Sequence, residues 1–581
     1  MDRTTRPTSH EPTPTARSLA ARTGGPTLAA RCAAVTLLAL LLLVALVAAA
    51  PARAAVWVTS PGTKVFPGTP AGAKQAVRLY AAGDEYEGAI IAVKGGDRRT
   101  ARLSWSADSS QFLKDNAVLD QVMFVRISKP TTGLGTKPGL YPDPLVPRSF
   151  GQGVGVPARS SSFYVLFHVP YGTTAGDYTG TLHVVNGSSE SVDLPVTLTV
   201  WPFGWQKLSV RTQFGCDFNH IGPNVTGTYQ MLLDHGVNPQ MPKQTAGASS
   251  NGTIDRSRYA TKLRPWLSDD GLAMPYTRLP WRNWTPPYSW KYSPHDPRLL
   301  RYLTGVCAVY KANGWQSKAI GYPIDEPHTT ARERQAEGLA ETLHKASARS
   351  GFRCKFLITD DPRPTTLTRV APANRFLWND VDIWCTRYYY FFGRVPTLRQ
   401  CRSRYGAQIW WYPYANAKVK VMPNFMIDKS LADERVWGWL MYYWKVDGML
   451  YWGVSNWGDR DPYQNPLSYT SSDGRHFNGE AMLIYPGHYK RYGLTDSNAP
   501  CNPSLRLELL RDGYEDLEYM KLAAKVAGAS WVQSVVKRVT SFPHPVRYGH
   551  IFEFPTYKTG ASAYLSARLI LAQKIAASVQ Q

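Results

Sequence analysis

The chain has 581 residues, with 66 Lys and Arg against 43 Asp and Glu, a formal net charge of +23. Such a surplus favours anionic surroundings such as acidic glycans, cell-wall or other extracellular polymers, lipid headgroups or nucleic acid. The basic residues are scattered, and no zinc-finger spacing or RNA-binding aromatic motif accompanies them, which argues against nucleic acid. A basic surface that serves only solubility accounts for the same charge.

The first 54 residues read as an address rather than a fold. Arg31 precedes the apolar run "CAAVTLLALLLLVALVAAA", and "PARAAV" offers a small-x-small cleavage site near Ala54. This is the pattern of a secretory signal, and it implies a secreted, extracellular protein with no membrane contact once the signal is removed. The apolar run, at roughly 18 residues, is long for a signal, so an uncleaved membrane anchor stays open. Cleavage leaves a net charge of about +19 and six cysteines: Cys216, Cys307, Cys354, Cys385, Cys401 and Cys501. An even number in an exported chain permits disulfides. The alternative is that they serve as small buried apolar side chains. None forms a CxxC or a Cys/His cluster, and neither a metal nor a cofactor is expected.

From residue 56 to 203, period-two alternation dominates. "FYVLFHVP" places Phe163, Val165, Phe167 and Val169 on one face; "DYTGTLHVV" and "DLPVTLTVW" repeat the pattern, and "YGTTAGDY" and "NGSSES" supply turns between them. Short alternating strands at this spacing predict an antiparallel β-sandwich. Over residues 204–500 the texture becomes short apolar runs alternating with helical stretches, which predicts an α/β domain of (β/α)8 TIM-barrel type. Residues 501–581 open with "LRLELLRDGYEDLEYMKLAAKVA" from Leu505, which reads as an amphipathic helix in a helical segment packed on the barrel.

One apolar run ends on two acids: "AIGYPIDEP" carries Asp325 and Glu326 before Pro327. In a barrel of this type the chemistry gathers at the C-terminal ends of the strands. Proline disfavours helix at the preceding residue, so Glu326 is expected to be extended. The pair either does chemistry or merely favours the N-terminus of the next helix, which begins at Thr329 or Thr330. Glu333, Glu337 and Glu341 follow at helical spacing among bases and read as a solvated face. Asp360-Asp361 in "KFLITDDP" repeats the arrangement one strand later; it reads as a decoy that at most touches a sugar hydroxyl.

Aromatics favour the chemical reading. They are 12% of the chain and bunch in the expected loops. "PWRNWTPPYSWKY" carries Trp281, Trp284 and Trp290; "RYYYFF" carries Tyr388, Tyr389 and Tyr390; "IWWYPY" carries Trp410, Trp411, Tyr412 and Tyr414; "LYWGVSNW" carries Trp452 and Trp457. Aromatic faces cover the apolar face of a sugar ring, and their polar tips bond its hydroxyls. Core packing is the competing account, above all for one tryptophan of "IWW". Carbohydrate is therefore the expected partner, with Trp281, Trp284, Tyr388, Trp411 and Tyr412 as candidate contacts.

Glycosidases usually use two carboxylates on different strands. Here Glu434 falls in a helical stretch, Glu480 stands just before an apolar run, and "AQIWWYPY" carries no acid at its tip. An adjacent Asp-Glu pair suits a different scheme, in which the substrate's own 2-acetamido oxygen attacks the anomeric carbon.

Several segments resemble the catalytic domain of glycoside hydrolase family 123 and the broader domain-of-unknown-function family 4091. They are "YPIDEP" at 322–327, "DGMLYWGVSNW" at 447–457, "MLIYPG" at 482–487 and "SLRLELLRDGYEDLEYMKL" at 504–522, with "TTAGDYTGTLHVV" and "LPVTLTVWPF" in the sandwich. The resemblance implies a β-sandwich followed by a (β/α)8 barrel, and substrate-assisted, retaining hydrolysis of β-linked N-acetylgalactosamine or another 2-acetamido sugar. It implies Glu326 as general acid/base and Asp325 as the residue that orients the acetamido group. Trp452, Asn456 and Trp457 become candidates for the sugar pocket. A glycosidase of other specificity, or a glycan- or wall-binding protein without turnover, are the alternatives. Under the catalytic reading Glu326 is expected to hold a proton, its pKa pushed up by the neighbouring Asp325.

Overall fold

The computed structural model describes residues 55–579 except 74–75, 96–98, 157–159, 188–189, 243–245, 282–288, 366–372, 416–417 and 543–553. The expected export signal at 1–54 and the candidate Trp284 lie outside the described residues. The described residues belong to one unit, Ala54–Gln581.

Ten strands occupy the first part of the described chain: β1 Ala55–Thr59, β2 Val77–Gly83, β3 Glu85–Lys94, β4 Arg99–Trp105, β5 Ala117–Ile127, β6 Gly139–Arg148, β7 Val154–Val156, β8 Ser161–Val169, β9 Gly176–Asn186 and β10 Glu190–Gly204. They form two five-stranded sheets, β1-β3-β8-β5-β6 and β2-β10-β9-β4-β7. The alternation works as expected: Phe163, Val165, Phe167 and Val169 meet Leu182, Val184, Leu194, Val196, Leu198 and Val200 in one buried cluster. One pairing differs from the expected antiparallel sandwich. β2 runs parallel to β10, with Val77 opposite Val196, because β3 follows β2 directly into the other sheet. The β3-β8-β5 sheet is also covered on its second face, where Ile90, Ala92, Tyr164 and Leu166 join Leu431, Leu505 and Leu509. That explains why β8 reads "SSFYVLFHV", apolar on both sides rather than half polar.

Beyond residue 210 come β11 Arg211–Phe214, β12 Thr277–Arg278, β13 Ala319–Gly321, β14 Lys355–Ile358, β15 Ile383–Arg387, β16 Gln408–Tyr412 and β17 Gly448–Tyr451. All pair in parallel, in the order β11-β17-β16-β15-β14-β13-β12. Helices such as Pro297–Ala312, Thr330–Ala348, Val395–Tyr405 and Ala432–Trp444 alternate with the strands. One face buries Ile320, Tyr322, Leu357, Ile383, Cys385, Trp410, Tyr412 and Leu450 together. β11 and β12 remain the edges of this partly curled sheet. Between them, residues 238–240 bond to β11 through Asn238 O and the Gln240 N–H, 3.0 and 2.7 Å from Phe214. The described residues thus give seven ladder strands and one bridged segment, not a closed ladder of eight. Pro239 stands at the centre of that segment and has no N–H with which to extend a ladder.

The helix Leu505–Ala527 departs from the amphipathic expectation. It is buried on every side from Leu505 to Met520, and its charged residues are buried as partners. Arg506 reaches Asp143 on β6 at 2.8 Å; Arg435 binds Asp512 and Asp516 at 3.1 and 2.8 Å; Glu508 accepts from His235 at 2.7 Å. Gly513 and Gly438 let this helix cross Ala432–Trp444 backbone to backbone. A Cβ on Gly438 would stand 1.7 Å from the Gly513 carbonyl oxygen. The six cysteines among the described residues are free, buried thiols, and no disulfide joins any two of them.

Candidate active site

Asp325 and Glu326 stand at the C-terminal end of β13, on the short segment that leaves the inner face of the curled sheet. Two hydroxyls hold Asp325: Tyr322 Oη donates to Oδ1 at 2.5 Å and Thr359 Oγ1 at 2.9 Å. The Glu326 N–H donates to the same Thr359 oxygen at 2.8 Å, so one threonine from the end of β14 fixes both acids. Glu326 is not extended. Its φ of 44° lies in the left-handed region, which is costly for a residue with a Cβ and recurs at functional sites. This turn aims its carboxylate away from Asp325 and towards β15 and β16.

There Arg387 donates to both Glu326 oxygens, its Nε to Oε1 at 3.0 Å and its Nη2 to Oε2. Tyr412 Oη donates to Oε1 and accepts from Arg387 Nε at 2.8 Å, while His328 Nε2 lies 3.3 Å from Oε2. Burial opposes the charge, but the hydrogen bonds from His328, Arg387 and Tyr412, and the Arg387 charge, outweigh it and hold this carboxyl at about 2. The expected upward shift is therefore reversed: the nearest strong field on Glu326 is a cation, not Asp325. Arg387 in turn lies 5.3 Å from the Tyr414 ring centroid, and Arg278 lies 4.8 Å over Tyr322. The next helix is capped by Thr329, which accepts from the Arg332 N–H. The acids precede that cap and spend their oxygens on side chains, so stabilising the helix N-terminus does not explain them.

The remaining candidates separate by burial. Trp281 is 1% exposed with its indole N–H on Lys291 O at 2.7 Å; Tyr388 and Trp411 are fully enclosed and meet Trp437 edge to face. These three fill the core between sheet and helices and offer no ring to a sugar. Trp281→Ala is accordingly expected to cost about 3–5 kcal/mol of stability, lowering the melting temperature while leaving the substrate profile unchanged in shape. Tyr412 belongs to the site through Glu326. Trp457 is buried and stacks on His220, 5.5 Å away, and Asn456 Nδ2 donates to Ser468 O at 3.3 Å, so both shape a loop. Trp452, by contrast, is 41% exposed.

One expectation about the other acids changes, and the reading of Asp360-Asp361 as a decoy gains a structural reason. Glu333 is buried against Arg363 and Asn374 instead of facing solvent. Asp360 and Asp361 are buried with Arg363 and Arg394, and burial together with Asp361 pushes the Asp360 carboxyl well up. They are a structural ion cluster that holds strand ends together and are closed to a sugar. Glu480 is also buried, which pushes its carboxyl up to about 7. The site residues missed in the sequence are Arg387, Tyr322, Thr359 and His328. Arg387 had a readable signal: in "IWCTR" it ends an apolar strand, two residues on from Cys385, on the inner face. A cavity of about 550 Å3, among Asp84, His168, Arg211, Gly236 and Tyr276, opens at the N-terminal ends of the strands, away from the acids.

Residues 363–523 match the family described as glycoside hydrolase 123, catalytic domain. That match begins after Asp325 and Glu326, so it takes in Arg387, Tyr412 and Trp452 but not the acid pair. A family 123 glycoside hydrolase from Clostridium perfringens, whose structural analysis concerns glycolipid glycan hydrolysis, superposes with a TM-score of 0.62. Its identity is 13%, over 91% of this chain and 98% of that one, which is a likeness of fold. A Bacteroides ovatus GH5 xyloglucanase in complex with a heptasaccharide reaches a TM-score of only 0.29 at 8% identity, over 75% of this chain and 98% of that one, and carries no argument. No curated protein matches the sequence. Residues 363–523 are thus similar in sequence to the catalytic domain of glycoside hydrolase family 123, and the chain is similar in fold to one solved member of that family.

Proposed function

We propose that the protein is a secreted glycoside hydrolase that cleaves a β-linked 2-acetamido sugar, N-acetylgalactosamine first among them, by substrate-assisted retention on a (β/α)8 barrel. One observation carries this reading. Two adjacent carboxylates at a strand end are held apart by separate partners, Asp325 by hydroxyls and Glu326 by Arg387, Tyr412 and His328. Under it, Asp325 receives the acetamido N–H and steadies the cyclised cationic ring, and Glu326 protonates the leaving oxygen. Residues 1–54 serve export, and the basic surface suits an anionic extracellular polymer around the substrate.

The Glu326–Arg387 pair favours a second reading, a glycan-binding protein without turnover, since a carboxylate held at about 2 keeps no proton near neutrality. Under the hydrolase reading Arg387 must release Glu326 as the substrate enters. Screening nitrophenyl glycosides separates the two, and an Arg387 variant tests the proton. Removing the cation destabilises the ionised form, so Glu326 titrates higher. Because kcat/KM reports the free protein, Arg387→Gln is expected to move its basic limb up by about 1–2 units. An unmoved limb would remove Glu326 from the acid role. Glycan binding with no turnover of any substrate would favour the second reading.

A further inference from the structure

Glu480 takes no part in the chemistry proposed above, yet it joins two strand ends that frame it. It is 1% exposed, and one oxygen, Oε1, accepts both the Trp452 indole N–H at 2.7 Å and the Ala415 N–H at 3.1 Å. Ala415 follows the Tyr412-Pro413-Tyr414 turn, whose tyrosines touch Glu326 and Arg387. Trp452 directly follows β17, two residues after Leu450, which shares the inner cluster with Tyr322 and Tyr412. The segment bearing Glu480 is itself fixed. Ala481 has a φ of 53° and donates its N–H to Tyr451 Oη at 2.6 Å; Ser468 Oγ donates to Glu480 O at 2.7 Å; Arg506 Nη1 donates to Gly479 O at 3.0 Å.

The consequence falls on Trp452. It is 41% exposed, but its polar ring atom is satisfied by Glu480, so the ring surface it shows to solvent is apolar. Tyr469 props it in T-shaped contact at 5.7 Å. An exposed tryptophan fixed at its N–H is costly for solubility and suited to stacking on the apolar face of a pyranose. We propose that Trp452 is a sugar-stacking platform at the rim of the site and that Glu480 is its positioning residue. Glu480 thereby ties the platform to the same turn that holds Glu326. The proposal rests on a carbohydrate ligand but not on turnover.

The test uses the full-length protein, a mixed glycan array and a double-mutant cycle. Trp452→Ala, a surface change that leaves the fold intact, is expected to weaken every glycan the wild type binds by about ten- to hundredfold, the scale of losing one aromatic stacking partner. Glu480→Leu should give part of that loss. The double variant should bind no worse than Trp452→Ala alone, because the platform is already gone. Glu480→Gln, which keeps an oxygen acceptor in place, should restore binding. Without any sugar, the fluorescence difference between wild type and Trp452→Phe isolates the Trp452 signal; Glu480→Leu should shift it and Glu480→Gln should not. Where turnover is measured, KM should rise with kcat nearly unchanged. Additive losses, an unshifted Trp452 signal, or unchanged binding by Trp452→Ala would each overturn the proposal, as would a wild type that binds no glycan. Glycan binding without hydrolysis would sink the hydrolase reading and leave the platform standing.

Discussion

Glu326→Gln is expected to abolish turnover of natural glycans while sparing the first step on activated aryl glycosides. Asp325→Asn should damage both. The difference follows from what each acid meets in the proposed reaction. A poor leaving group cannot depart without a proton, and Gln carries none to give; a nitrophenolate departs unaided. The cyclising acetamido group needs its counter-charge whatever leaves, and removing one such preorganised group costs about 10²–10³ in kcat. Tyr322 and Thr359 donate to Asp325 at 2.5 and 2.9 Å, so its amide replacement confronts two hydroxyls built to meet a carboxylate. A thiazoline mimic of the cyclised sugar should inhibit the wild type, and mass spectrometry should find no sugar bound to the protein. A covalent glycosyl-enzyme trapped on any carboxylate would overturn substrate assistance.

Much of the frame was legible because it rests on period. Alternation in "FYVLFHVP" and "LPVTLTVW" identified sandwich strands, and the strand–helix rhythm after Trp201 identified the parallel sheet. The acid pair was legible as a strand end stopped by Pro327. Its electrostatics were not, since the field on Glu326 comes from Arg387, distant in sequence and adjacent only across the β15 end. Aromatic clustering misled for a related reason. Trp281, Tyr388 and Trp411 sit in runs that look like loops, and only the packing of helices over the sheet shows that their rings point inward. Burial also inverted the reading of charge. Glu333, Asp512 and Asp516 have the spacing of a solvated helix face, but each meets an arginine from another element. Periodicity reports which residues share a face and says nothing of whether that face meets water.

That last inversion predicts the largest effect on stability. Arg568, on the helix Ala561–Val579, donates through Nη1 to Glu85 at 2.5 Å and to Glu87 on β3, and through Nε to Asp516 at 2.6 Å on the helix Leu505–Ala527. All four residues are buried, and the two glutamates belong to the sandwich. Arg568→Met keeps much of the side-chain volume but strands the Glu85 and Glu87 carboxyls without their shared cation and leaves Asp516 to Arg435. Breaking a buried pair by removing one partner costs about 3–5 kcal/mol, far more than an exposed pair contributes. The sign with pH is fixed by the same groups. Burial already raises the Glu85 carboxyl, with Arg568 pulling it down; deleting the arginine raises it further. A raised carboxyl contributes stability below its unfolded pKa and loses it as the pH rises through the folded value. The variant should therefore fall furthest behind the wild type near pH 8 and recover part of the deficit near pH 5. Adding Glu85→Gln and Glu87→Gln should flatten that dependence, because the stranded groups no longer ionise. Denaturant unfolding at the two pH values reads both effects. A deficit that is the same at both would mean that Arg568 acts through packing of its stem, and that the charges joining sandwich, parallel-sheet unit and C-terminal helix do not hold the three together.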